Sequence, residues 1–390
     1  MPHSFRFEYE SPTIRFGAGS VSGLADELAA AGASNALVVT GTSVGANDDV
    51  MDPVRAGLGD ALAGVFAETT PEKLLSTALD GVDVFERADA DSVVAVGGGS
   101  SLDVARAVCA LAVTDDRDAA VDTYAETHAL PVPDAALPPM AVVPTTLAGA
   151  DLSFGGGLNA TDPDITRTPI SGGLSDPALT PTAAFYDPEL VATTPRRVLA
   201  SSAMNGFDKG VEAIYTTAHT PVTDATAVRG VRRLTETLPG LGPDAGETDY
   251  AGILEGILLV QYGIKRPDGS GLGLVHAFGH GLTAHSAVQQ GSAHAITAPH
   301  ALAYLLEQTD ARRDVLADAL GVDSDGIVDA VAAVRDSLGL PTRLRDVDDV
   351  SESSLDAIAE STHADGLLDN LPAGVDPTVA DLRGVLEDAW

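Results

Sequence analysis

Lysine is nearly missing from this chain of 390 residues, with Lys73, Lys209 and Lys265 the only three. Arginine supplies the rest of 22 basic residues, set against 57 acidic ones, for a net charge of -35. So large an excess of acid excludes nucleic acid and anionic membrane as partners, since both repel it. The acid is spread along the chain and reads as a solvating surface. Acid-rich and lysine-poor together, it follows the pattern of proteins from salt-loving cells, where salt screens the self-repulsion. The melting temperature is therefore expected to rise from dilute buffer to molar salt. A value independent of salt would contradict the halophilic reading.

Cysteine is reduced to Cys109, which rules out an internal disulfide framework and suits a reducing compartment. It falls on the apolar face of a helix, where a core role outweighs a nucleophilic one. The first ten residues are polar and charged, unlike a signal peptide, and no unbroken apolar run reaches the length of a membrane span. These absences point to a soluble, cytoplasmic protein.

Small and apolar residues are what the chain has in quantity. A hydrophobic share of 45% and 40 glycines fit a globular α/β enzyme, and the length allows two domains. Alternation or short apolar runs predict strands at residues 5–9, 13–16, 36–40, 63–66, around 93, 139–144 and 183–187. Helical spacing falls between them at 21–31, 50–62 and 74–88, and again after 100. This order implies βαβ units and a mostly parallel sheet. Residues 153–182, rich in Gly, Thr, Asp and Pro, read as a loop or hairpin region. Beyond Pro188 helix follows helix, at 197–216, 221–237, 249–262, 272–287 and 294–307, with surface helices expected in 341–390. The predicted organisation is an α/β dinucleotide-binding domain over residues 1–187 and an all-helical catalytic domain over 188–390, with a cleft between them.

The most informative stretch follows the strand at Val93–Val96. Gly97-Gly-Gly-Ser100 removes side chains from a strand-to-helix turn, so that backbone can approach a ligand. Ser100 is placed to cap the helix and Asp103 to occupy its first turn. Free N–H groups at such a start suit the diphosphate of a nucleotide. Thr145 and Thr146, after the strand at 139–144, lie at the same sheet edge. In the helical half, Asn205 and Lys209 share a helix face, with Glu212 at the next turn. His276 and His280 are likewise four apart. Five of the nine histidines fall between His276 and His300, His294 among them.

These motifs, in this order, resemble the iron-containing alcohol dehydrogenase family, whose fold is shared with dehydroquinate synthase. Phe16-Gly-Ala-Gly19, Gly97 to Arg106, Pro144-Thr-Thr-Leu-Ala-Gly-Ala-Asp151 and Tyr186-Asp-Pro-Glu-Leu190 each resemble a family segment. The resemblance implies a nicotinamide cofactor on Gly97, Gly98, Gly99, Ser100, Ser101, Asp103, Thr145 and Thr146, with Gly41 and Leu190 contributing, and it implies a homodimer. The family binds a divalent metal with one aspartate and three histidines. At the matching positions this chain has Asn205, Lys209, His276 and Gln290, so three of the four ligands are changed. The compact second loop, Asn205 and His294 are similar to the maleylacetate reductase branch, whose members work without a catalytic metal. That branch keeps histidine where Lys209 and Gln290 stand, so no substrate carries over.

The expected activity is hydride transfer between NAD or NADP and a small-molecule carbonyl or alcohol, without a metal. Lys209 and His276 would stabilise the oxyanion, and His280 or His294 would deliver the proton. Gly41, where NAD-selective members carry an acidic residue, leaves room for the NADP 2′-phosphate. Two alternatives stay open. One is a metal-dependent alcohol dehydrogenase using Asp208, Glu212 and His276. The other is a dinucleotide-binding sensor or scaffold that has lost catalysis.

Overall fold

The computed structural model describes residues 4–163, 165–267 and 269–390. The sheet strands are β1 (Thr13–Phe16), β2 (Ala36–Gly41), β3 (Leu62–Thr69), β4 (Ser92–Gly97) and β5 (Met140–Pro144), then a separate hairpin of β6 (Gly155–Ala160) and β7 (Ile170–Ser175), and finally β8 (Ala183–Tyr186). Between them run α1 (Leu24–Ala30), α2 (Thr42–Gly45), α3 (Asp48–Leu58), α4 (Leu75–Arg87), α5 (Gly99–Ala112) and α6 (Arg117–Thr127). The main sheet is parallel in the order β1-β8-β5-β4-β2-β3. Its inner strands are apolar on both faces because helices cover both sides. Val38, Val94, Val96, Ala141, Val143 and Phe185 pack with Leu24, Leu28, Met51 and Val54 of α1 and α3 in one core. Cys109 on α5 is buried, and burial pushes its thiol up to about 12, which leaves it inert as a nucleophile.

The chain forms two compact units. One comprises Glu10–Thr146 and Ala150–Thr194; the other joins the segment up to Tyr9, Leu147–Gly149 and Pro195–Trp390. The first unit closes with the short α7 (Pro188–Ala192). The second is helical: α8 (Arg196–Tyr215), α9 (Pro221–Thr237), α10 (Tyr250–Gln261), α11 (Leu274–His285), α12 (Gln290–Gln308), α13 (Arg313–Leu320), α14 (Ile327–Ser337), α15 (Leu355–His363) and α16 (Val379–Asp388). A parallel-sheet α/β part followed by a helical part is the predicted fold class. No helix among the described residues is long and apolar enough to cross a membrane.

Several local expectations are corrected. Residues 5–9 form no strand: Tyr9 packs edge-on against Tyr262 at 4.8 Å, and Arg266 lies over the Phe7 ring, so the alternating aromatics serve a ring cluster and not a ladder. The predicted helix 50–62 stops at Leu58, where Gly59 takes a φ of +51° and turns the chain into β3. The Ser100 cap is not made. Gly98 is the N-cap of α5, Ser100 lies inside the first turn, and Asp103 falls one turn further on. The surface helices expected in 341–390 are present as α15 and α16, each burying one face through Leu355, Ile358, Leu382 and Leu386.

Candidate active site

In the sheet unit, β2 and β4 are neighbours, with Thr40 opposite Val96. The chain leaves β2 toward β3 on one side and β4 toward β5 on the other. Such a reversal marks the carboxyl-end position where open α/β sheets receive ligands. The Gly-rich turn follows β4 at this position. Gly97 has a φ of +142°, accessible only to glycine. A Cβ on Gly98 would meet the Thr146 methyl at 2.9 Å. The Thr145 amide donates to the Gly97 carbonyl at 2.9 Å, which fixes the second loop against the first. No side chain caps α5, so its leading amides have no side-chain acceptor.

The other expected cofactor residues have structural duties. The Ser101 hydroxyl is buried and bonded to Thr69 Oγ1 at 2.7 Å. Asp103 accepts from Lys73 Nζ at 2.7 Å and Arg106 Nη1 at 3.0 Å. Gly41 ends β2 where a Cβ would come within 3.2 Å of the Thr69 carbonyl oxygen. Leu190 is core.

In the helical unit, α8, α11 and α12 bring a polar cluster together. Lys209 Nζ donates to Asn205 Oδ1 at 3.4 Å and to His276 Nε2 at 3.5 Å, bridging two acceptors that are themselves 3.2 Å apart. On the far side of the ring, His276 Nδ1 donates to Glu212 Oε2 at 2.5 Å. The other Glu212 oxygen accepts from the Val275 amide at 2.7 Å, the His276 amide at 3.1 Å and the Tyr215 hydroxyl at 3.0 Å. Burial pushes the Glu212 carboxyl up, while hydrogen bonds from the His276 amide and the Tyr215 hydroxyl pull the other way. Burial, and then the nearby Lys209 ammonium, push His276 well below the usual histidine range. It is neutral, with its proton on Nδ1 and a lone pair on Nε2 toward Lys209.

Behind His276 lies His294, whose ring stands edge-on at 4.4 Å. Its Nδ1 is 3.4 Å from Asp208 Oδ2, and both side chains are wholly buried. Burial drives Asp208 well up and His294 well down, both toward the uncharged form. Gly279 makes room for the imidazole, since a Cβ there would collide with His294 Nε2. His280 stands apart, half exposed and bonded through Nδ1 to Asp365 at 2.7 Å. The structure therefore unites Asn205, Lys209 and His276, sets His294 behind them, and sends His280 outward. Glu212 and Tyr215, which fix the His276 tautomer, were not assigned that role by the sequence. The seven-residue step from Asn205 to Glu212 on one helix face was the available signal.

The alternative ligand set of Asp208, Glu212 and His276 does not converge. Asp208 faces His294, and the Glu212 oxygens face Tyr215 and α11. Among the described residues no group of three or more His, Cys, Asp or Glu is arranged to hold an ion.

Residues 11–188 match the sequence pattern of iron-containing alcohol dehydrogenases, and residues 199–390 match the C-terminal domain of the Fe-containing alcohol dehydrogenase family. The chain is 28% identical to the NAD-dependent methanol dehydrogenase of Bacillus methanolicus over 393 residues, spanning 97% of this chain and 98% of that enzyme. It is 28% identical to maleylacetate reductase 1 of Cupriavidus pinatubonensis over 88% of this chain and 86% of that one. The crystal structure of maleylacetate reductase from Rhizobium sp. strain MTP-10005 superposes with a TM-score of 0.80 at 25% identity, covering 100% of this chain and 98% of that one. With both halves matched in order, the chain belongs to the iron-containing alcohol dehydrogenase family, a family of oxidoreductases.

Proposed function

We propose that this protein transfers hydride between a nicotinamide dinucleotide, NAD or NADP, and the carbon of a small carbonyl or alcohol, and that it does so without a catalytic metal. The observation that carries the reading is the Lys209 ammonium bridging Asn205 Oδ1 and His276 Nε2. It occupies a position where the family places a histidine ligand. An ammonium has no lone pair for a metal, and the amides of Asn205 and Gln290 are poor donors toward iron or zinc. The donor set does not fit the family's ion.

The dinucleotide does fit, because the uncapped α5 amides and the side-chain-free turn at residues 97–99 form an anion seat. When bound, the reduced nicotinamide supplies the hydride. As the carbonyl oxygen gains charge, Lys209 stabilises it and gives it a proton, yielding the alcohol. His276 Nε2 orients the ammonium, and Glu212 holds the imidazole in the tautomer that leaves this lone pair free. His294 and His280, the proton donors expected from sequence, support the reading less well. One is sealed against Gly279 and the other is engaged by Asp365.

The test is elemental analysis of protein purified in high salt without chelator, together with carbonyl reduction by NADH or NADPH before and after chelation. Metal far below one per chain and chelator-resistant turnover are expected. About one iron or zinc per chain, with activity lost on its removal, would overturn the metal-free mechanism. Stabilisation by NAD(P)H with no turnover on any aldehyde or oxo acid would point to the sensor instead.

A further inference from the structure

The flank of the Gly-rich turn carries a charged group that the mechanism does not use. Lys73, one of three lysines among 22 basic residues, lies in the loop joining β3 to α4. Its backbone has a φ of +52°, an unfavourable conformation for a residue with a side chain. The loop is held there by the hairpin: the Asn159 amide donates to the Lys73 carbonyl at 2.9 Å, and Asn159 Nδ2 donates to the Glu72 carbonyl at 2.7 Å. The ammonium is fixed by Asp103 Oδ2 at 2.7 Å, about one helical turn from the start of α5.

Neutralising Asp103 does not require Lys73. Asp103 already has the fully buried Arg106 at 3.0 Å and the Gly157 amide at 3.2 Å, and Arg106 also donates to the Ala150 carbonyl at 2.9 Å. Asp151 is a second acid acting on Arg106. Of the three charged groups Lys73, Asp103 and Arg106, only Lys73 reaches solvent, with 30% of its side chain exposed. The hairpin clears space around it with glycine. A Cβ on Gly156 would collide with the Asp103 carboxylate, and one on Gly157 would stand 3.5 Å from Lys73 Nζ. The bond between Thr69 and Ser101 brings the start of this loop beside the first turn of α5. A compact ammonium with three donors, held on a flexible stem, suits oxygens of a phosphate or a ribose.

We infer that Lys73 is a cofactor-binding residue, oriented by Asp103, whose ammonium hydrogen-bonds diphosphate or ribose oxygens of the dinucleotide seated on residues 97–100. This rests on the proposed cofactor seat. The experiment measures dissociation constants of NADH, NADPH and ADP-ribose, in molar salt, for the wild type, Lys73→Met and Lys73→Arg, alongside the melting temperature of each apo protein. In Lys73→Met, binding of the preferred dinucleotide and of ADP-ribose is expected to weaken by at least about tenfold. The apo melting temperature should hold. Lys73→Arg, which keeps the charge, should recover part of the loss. Unchanged dissociation constants in Lys73→Met, with or without a lower melting temperature, would overturn the role and leave the seat intact. A loss confined to NADH and NADPH and absent with ADP-ribose would overturn the assignment to diphosphate and ribose. Wild-type protein that binds none of the three ligands would overturn the seat itself.

Discussion

Replacing Lys209 by alanine is expected to lower turnover by about 10²–10³-fold, the usual loss when one donor to a developing oxyanion is removed, while leaving cofactor affinity unchanged. The side chain is positioned for such a task. Its stem runs past Gly149, where a Cβ would lie 3.5 Å from Lys209 Cδ, and its head reaches two acceptors on α8 and α11. Both of these bonds are long for an ammonium. With alanine, Asn205 Oδ1 and the His276 Nε2 lone pair would face each other at 3.2 Å with no cation between them. Lys209→Arg should recover little, since a planar fork cannot replace a point charge where Gly149 limits the space. Steady-state kinetics at saturating cofactor, with dinucleotide titration of the same variants, separates chemistry from binding. Partial rescue of Lys209→Ala by a small primary amine would place the lost function in the ammonium. Near-normal turnover in Lys209→Ala would remove this residue from the mechanism.

The sheet was legible in the sequence because a strand buried on both faces needs a continuous apolar run, and Ala36 to Thr40, Val93 to Val96 and Met140 to Val143 each supply one. The Gly-rich turn was legible for a related reason, since only glycine tolerates the Gly97 backbone. Phe5, Phe7 and Tyr9 alternate as a strand would. Their partners, Tyr262 and Arg266, are far away in the chain, so local pattern misled. α6 leaves no helical period in the sequence because it buries only Ala120 and Tyr124. In the site, four-residue spacing correctly joined Asn205 to Lys209 but also joined His276 to His280. There the spacing was not enough, because Asp365 lies beside the outer turn of α11 and takes His280. The pairing of Glu212 with His276 spans 64 residues and belongs to helix packing, which periodicity does not encode.

Removing the Glu212 carboxylate should be the most damaging change to stability. In Glu212→Ala the Val275 and His276 amides, the Tyr215 hydroxyl and His276 Nδ1 all lose their acceptor in a wholly buried space. Leaving a buried polar network without its central acceptor typically costs about 3–5 kcal/mol, measurable as a fall in the denaturation midpoint in molar salt. Tyr215→Phe withdraws one donor from Glu212 and leaves the Leu274 amide without its acceptor, so it should cost about 1–3 kcal/mol and less than Glu212→Ala; equal losses in the two variants would contradict the hub role. The same network sets a pH dependence. His276 has its folded pKa depressed below the unfolded value of about 6.5. Its contribution to stability is therefore complete above that pH and is lost on acidification, as the unfolded chain takes up a proton that the folded one refuses. Asp208, driven upward, acts with the opposite sign, and the many surface acids titrate as well. Comparing the wild type with His276→Gln cancels these shared effects. Below about pH 6.5 the variant should gain on the wild type by up to about 1.4 kcal/mol per pH unit. A difference that stays flat with pH would mean that His276 is already protonated in the fold, in which case it would repel the Lys209 ammonium instead of accepting from it.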